Sequence, residues 1–318
     1  MSTYVLRRAT LTIPVVLGVT LVVFLMLHFL PGDPVLMMLT EQAGQTAPSS
    51  STNISPETYA NMRRELGLDQ PLVVQYGKFL WGVVRGDLGH SFRSQQPVLD
   101  MILRNLPYTF SLAAVSLGVS LTLGLLLGIV AAIKRDSWVD AVAMTLAALG
   151  VSMPSFWLGI MLLLIFALQL RLLPAVGPPS DWQSLVLPAI TLGFGSSATI
   201  ARLMRSGLVE VLHQDYVRTA RAKGLAERAV VLRHSLKNAL IPVVTVVGLQ
   251  FGTLLSGTVV IETVFARPGI GRMAVQAILE KDFPVVQGVV LFTATTYVLA
   301  NFLVDLSYAW LDPRIRHE

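Results

Sequence analysis

Six long apolar segments leave this chain almost no soluble fold to adopt. They cover residues 9–30, 106–133, 139–170, 184–201, 239–265 and 285–310. A helix crossing a bilayer needs about 20 mostly apolar residues, with a range of roughly 17–25. The runs are continuous and lack the alternation of a membrane strand. The predicted fold class is therefore an all-α integral membrane bundle of about six spans. Charged residues make up only 14% of the chain, against about 25% in soluble domains, and they fall between the runs. The second and third runs are long enough to tilt or extend beyond the lipid. The fourth is short and carries Gly193, Gly195, Ser196 and Ser197. Small residues favour close helix contact in a bilayer, which predicts a central position. The chain has no cysteine, so disulfide frameworks and thiolate metal sites are excluded.

Lys and Arg in the short loops orient the bundle. Arg7 and Arg8 precede the first run, and Lys134 and Arg135 follow the second. Arg202, Arg205, Arg218, Arg221, Lys223, Arg228, Arg233 and Lys237 lie between the fourth and fifth, and Arg314 and Arg316 follow the sixth. All share one side if six spans alternate, which makes both termini and the 202–238 loop cytoplasmic. The opposite short loops hold only Arg171, Arg267, Arg272 and Lys281. The first run exceeds a signal-peptide core of about 7–15 residues, and PGDP at 31–34 offers no small-residue cleavage site. It is expected to stay as a helix. The long external stretch at 31–105 has a polar tip around 44–56. Structureless loops beyond about 15 residues are uncommon, so small helices are expected around 56–66 and 76–84.

A search for chemistry finds no catalytic constellation. No GxxxxGK[ST] loop is present, and Gly269 and Gly271 follow no predicted strand. With Pro268 they read as a tight external turn. His28, His90, His213, His234 and His317 lack the i,i+4 spacing that puts two metal ligands on one helix face. Ser152 and Ser155 flank Pro154, which should kink the third span, and no nucleophile elbow is formed. Asp305 and Glu262 lie toward span ends, where a carboxylate can snorkel or cap a helix. No central acidic relay or inverted repeat supports an ion-driven carrier. The energy source is expected on another chain.

The basic loop has more order than topology alone requires. Residues 216–223 favour helix, Asp215 suits its positive N-terminal end, and Gly224 is placed to stop it. Arg218 with Arg221, and Thr219 with Lys223, share faces. A second amphipathic stretch at 225–238 leads to Pro242. A short rigid helix on two elbows suits transmission of force.

TARAKG at 219–224, followed by LIP at 240–242, resembles the EAA signature of binding-protein-dependent ABC importer permeases, with Thr219 where glutamate is usual. The resemblance runs along nearly the whole chain. It includes LPGDPV at 30–35, LGLDQP at 66–71, GDLG at 86–89, VSMPSFW at 151–157, IETVF at 261–265, PGIGR at 268–272, DFPVVQG at 282–288 and LDPRIR at 311–316. The set is similar to B-type permeases of dipeptide, oligopeptide, glutathione and nickel importers.

This resemblance implies a type I importer permease of the bacterial cytoplasmic membrane, itself non-catalytic and without a cofactor. It also implies a C-type permease partner, two ABC ATPase subunits that hold ATP and Mg, and an extracytoplasmic substrate-binding protein. No nucleic acid partner is expected. Asp215, Tyr216, Arg218, Thr219, Ala220, Arg221, Ala222, Lys223 and Gly224 would form the ATPase-coupling helix. Ala220 and Ala222 would allow close approach, and Arg218, Arg221 and Lys223 would offer polar contacts. Pro154, Gly193, Gly195, Pro242 and Gly248 are candidates for hinges or close packing along the pathway. The expected organisation is 1–30 with the first span, 31–105 as an external loop docking the binding protein, and 106–318 as the permease core. Peptide is the expected cargo. Nickel chelate, glutathione or oligosaccharide would use the same machinery, and an ion-coupled carrier is the competing class.

Overall fold

The computed structural model describes residues 2–29, 35, 55–65 and 69–311. The LPGDPV segment apart from Val35, most of the polar tip around 44–56, and Arg314 and Arg316 lie outside the described residues, as does the side chain of Asp305.

Helix α1 is Ser2–Phe29, followed by α2 (Pro56–Glu65), α3 (Leu72–Arg85), α4 (Val98–Ile133), α5 (Trp138–Ser152) and α6 (Ser155–Leu162). Then come α7 (Gln183–Leu212), α8 (Asp215–Ala222), α9 (Ile241–Val264), α10 (Ile270–Leu279) and α11 (Phe283–Leu311). Among the described residues the only strand-like pairing is an isolated bridge between His90 and Pro97. Helices α4, α7 and α9 are long and apolar enough to cross a membrane, and α5 with the α6 segment passes the same test only as a bent pair, the geometry of a broken span or a re-entrant loop. By position, α1 and α11 match the first and sixth predicted spans, with 28 and 29 residues.

Three spans depart from the sequence reading. The third is broken, not merely kinked: α5 and the following segment meet at 106°. Pro154 cannot donate to the helix and forces the preceding residue out of the α region, so Met153 is extended at φ −88° and ψ 131°. Past the break, α6 runs on into a π-helical turn at Leu163–Gln169. The fourth span continues to Leu212, so Arg202 and Arg205 sit on a helix and not in a loop. No proline lies between 202 and 212, the single Gly207 is tolerated inside a helix at a cost of about 1 kcal/mol, and a helix leaving lipid tolerates arginine. The second span begins at Val98, because Val98 and Ile102 are buried and tertiary packing extends the helix past the apolar run.

The chain divides into two compact units, Met1–Leu106 with Met273–Glu318, and Pro107–Arg272. In the first, α1 packs along α11 and carries α3 on its flank. The segment after α3 is pinned to the start of α11. The Ser91 hydroxyl donates to Asp282 Oδ2 at 2.5 Å and the Phe92 N–H to Oδ1 at 3.1 Å.

The second unit is built around α7, the most buried of the unbroken spans, as its small residues predict. A Cβ on Gly193 would stand 2.5 Å from the Ser116 carbonyl oxygen of α4. A Cβ on Gly128 of α4 would stand 2.6 Å from the Ala201 oxygen, and one on Gly150 of α5 equally close to the Phe194 oxygen. These contacts use backbone proximity where lipid offers no hydrophobic driving force. Gln250 of α9 crosses the core and donates to the Ser196 carbonyl oxygen at 2.5 Å.

Candidate functional site

The basic elbow after α7 is a folded unit with its own small core. Gln214 turns extended at φ −70° and ψ 149°, and α8 begins at Asp215. Val217 and Ala220 face inward and pack with Val230, Val211 and Leu212. The expected exposure of Ala220 to a partner is therefore corrected. At i,i+3 from Val217 it belongs to the apolar stripe, which leaves Ala222 as the small residue on the open face. Arg218, Thr219 and Lys223 are exposed on that face, with Asp215 and Tyr216 at its start.

Both ends of α8 are fastened. Gly224 adopts φ +78°, its N–H donates to the Arg221 carbonyl at 2.9 Å, and the Leu225 N–H reaches Ala220 at 3.4 Å. This double closure around a left-handed residue is the Schellman motif. Nothing lies within 4 Å of a Cβ built on Gly224, so backbone conformation is the reason for glycine. Arg221, expected as a polar contact for a partner, is exposed and forks onto Glu227, with Nε–Oε2 at 3.0 Å and Nη2–Oε1 at 2.6 Å. That hydrogen-bonded pairing holds the Glu227 carboxyl below its usual range and raises the Arg221 guanidinium. Asn238 donates to the Tyr216 hydroxyl at 2.9 Å, tying the return segment to the start of α8.

The return passes through Glu227–Ala229, a π-helical Val230–Ser235 and Leu236–Ala239 before α9. Val231, Ala239 and Val243 join Met204 and Leu208 of α7 and Ala132 of α4 in one cluster. A further tie reaches α5. Arg205 Nε and Nη2 grip Asp140 Oδ1 and Oδ2 at 2.7 and 2.6 Å, with Asp140 5% exposed. The Ser137 hydroxyl, which caps α5, accepts from the Asp140 N–H at 3.4 Å. Sequence reading missed this pair. Its one local signal is Ser137 three residues before Asp140, the spacing of a helix start.

At the far end of α9, Glu262 is fully buried, which overturns the snorkelling reading and keeps the capping one. It accepts from Thr109 Oγ1 at 2.6 Å and from the N–H groups of Gly271 and Arg272 at 2.8 and 3.2 Å. Thr109 in turn accepts from the Ile270 N–H at 2.9 Å. The carboxylate thus satisfies the orphan donors that open α10. A Cβ on Gly269 would overlap that carboxylate, and one on Gly271 would overlap the Val259 backbone. After Pro268, the turn is glycine-rich because it wraps a buried acid.

The remaining candidates separate by role. Pro154 breaks a span. Gly193 and Gly195 serve close packing, Gly195 facing the Gly150 carbonyl. Pro242 stands in the first turn of α9, where proline is compatible with a helix start, and Gly248 lies inside that unbroken helix. Among the described residues no His, Cys, Asp and Glu group could hold a metal ion.

The chain is similar to known proteins along its length. Residues 124–317 match the family described as binding-protein-dependent transport system inner membrane component, and residues 1–113 match its N-terminal membrane component. The dipeptide transport system permease protein DppB of Escherichia coli K12 is 41% identical over 348 residues, with all of both chains covered. DppB of Alkalihalophilus pseudofirmus is 42% identical over 344 residues, again across both full lengths. Among solved structures, an inward-facing MetNI methionine ABC transporter chain superposes with a TM-score of 0.56 at 18% identity, covering 67% of this chain and 96% of that one. That likeness concerns the fold.

Proposed function

The chain belongs to the family of binding-protein-dependent transport system inner membrane components, and on that premise we propose that it forms half of an ATP-driven import pathway for di- and oligopeptides. It is a multi-pass protein of the bacterial inner membrane. Its full-length similarity to dipeptide permeases supports the peptide cargo. ATP and Mg are held by two partner ATPases, a companion C-type permease completes the pathway, and an external binding protein delivers the peptide.

One observation carries the site assignment. Helix α8 has an apolar face packed on the end of α7 and on Val230 of the return segment, and a polar face left open. In this reading an ATPase groove receives Asp215, Tyr216, Arg218, Thr219, Ala222 and Lys223. The exposed Arg221, forked onto Glu227, and the inward Ala220 hold the helix in shape. When ATP closes the ATPase pair, α8 moves as a rigid handle. The clusters beneath it carry the motion to α4, α7 and α9, and Arg205 carries it to Asp140 on α5. Nucleotide shifts the pathway only through its differential affinity for the two states. The broken third span and the glycine contacts along α7 are where such motion is accommodated.

The test is reconstitution of this permease with its companion permease, ATPases and binding protein in proteoliposomes. Uptake of labelled dipeptide that requires ATP inside and binding protein outside is the expected result. Accumulation by this chain alone on an ion gradient would overturn the proposal.

A further inference from the structure

Helix α3, LVVQYGKFLWGVVR, contains no acidic residue and buries none of its own side chains fully. Its positions divide into three sectors at about 100° per residue. Tyr76 and Phe79 face α1, where Phe24 meets both rings, with centroids 5.3 and 5.9 Å away. The Tyr76 hydroxyl reaches on to Thr20 Oγ1 at 2.9 Å and the Leu17 carbonyl at 3.2 Å. Val73, Gly77, Trp81 and Val84 form a second, open apolar sector, with exposures of 82% at Val73, 59% at Trp81 and 77% at Val84. Lys78 and Arg85 occupy the third, and the Arg85 guanidinium lies over the Trp81 ring, 4.5 Å from its centroid.

The anchor on α1 fixes the depth. Phe24 stands six residues before the outer end of the apolar run at residue 30, which is about 9 Å at the helical rise. Interfacial helices bury an apolar face roughly 5–10 Å into the boundary between headgroups and acyl chains. Leu17, Leu21 and Val22 of α1 are likewise exposed, within an apolar run long enough to span a bilayer. Fourteen residues are too few to span a bilayer, yet the helix is anchored on Phe24 and Thr20 of the apolar run.

We propose that α3 is an interfacial helix embedded in the outer leaflet beside α1, with Val73, Trp81 and Val84 against acyl chains and Lys78 and Arg85 at the lipid phosphates. Tryptophan and snorkelling cations suit that boundary. The helix fixes the height of the external segment that leaves it at Gly86, and makes that height depend on bilayer thickness and headgroup charge.

The chain has no native cysteine, so nitroxides can be placed singly at Val73→Cys, Val84→Cys and, as the polar control, Lys78→Cys. The full chain is reconstituted in vesicles of phosphatidylethanolamine and phosphatidylglycerol. Relaxation by oxygen relative to a water-soluble nickel chelate should be several-fold greater at 73 and 84 than at 78. Equal nickel access at all three positions overturns the proposal and makes the sector water-facing. Labels at 73 and 84 that neither reagent reaches overturn it in favour of a protein neighbour. So does nickel access lost only when the external binding protein is added.

Discussion

At the scale of single residues, two buried acids organise the second unit. Glu262 has three donors aimed at it, and Gly269 leaves the room it occupies. Gly269→Ala forces a methyl group into the carboxylate, and overpacking of this kind costs about 1–3 kcal/mol. The expected outcome is a lowered unfolding temperature in detergent; unchanged stability would mean that the turn relaxes freely. Asp140 is the second. Removing its partner by Arg205→Ala leaves a nearly buried carboxylate unpaired. The full penalty for a buried pair is about 3–5 kcal/mol; because Arg205 is 31% exposed, about 1–3 kcal/mol is expected after solvent screening. Arg205→Lys should recover little of it, since an ammonium cannot fork onto both oxygens. Thermal unfolding of both variants and of the Asp140→Ala, Arg205→Ala double variant checks this, with the double costing less than the sum.

At the scale of the element, α8 is defined by how it ends. Gly224 occupies a left-handed conformation with open space around it. Substitution therefore acts through the backbone, by roughly 1–2 kcal/mol for an ordinary L residue. Gly224→Val should uncouple ATP hydrolysis from uptake, Gly224→Ala less so, and Gly224→Asn least because asparagine tolerates this region. Equal transport by Val and Asn variants would remove the conformational account. The Arg221–Glu227 fork contributes a pH dependence. Glu227 is depressed in the folded state, so its contribution is present above the unfolded carboxylate value near ~4.3 and disappears as pH falls through the lower folded value. Both partners are exposed, and such pairs contribute about 0.2–1 kcal/mol. Hydrogen exchange at Leu225–Ala229 amides should therefore be indifferent to Glu227→Gln at strongly acid pH and accelerate modestly with it at pH 7.

At the scale of the whole molecule, the open face of α8 should be separable from the fold. Arg218→Glu with Lys223→Glu alters exposed side chains only, so membrane insertion and thermal stability should persist while co-purification with the ATPases is lost. Retained association and transport would place the contact elsewhere. How far the chain could be read without coordinates follows from which interactions are local in sequence. Hydrophobic run length determined the all-α membrane class, and Asp215 and Gly224 the ends of a short helix, because each acts within a few residues. Packing decided what depends on distant partners. Ala220 turned inward because Val230 waits there, and Arg221 was taken by Glu227 across the left-handed turn. Arg205 found Asp140 on another span, and a glycine turn proved to be the cradle of Glu262. Those pairings lie from six to sixty-five positions apart. No periodicity records such separations, and only tertiary structure brings the groups within reach of one another.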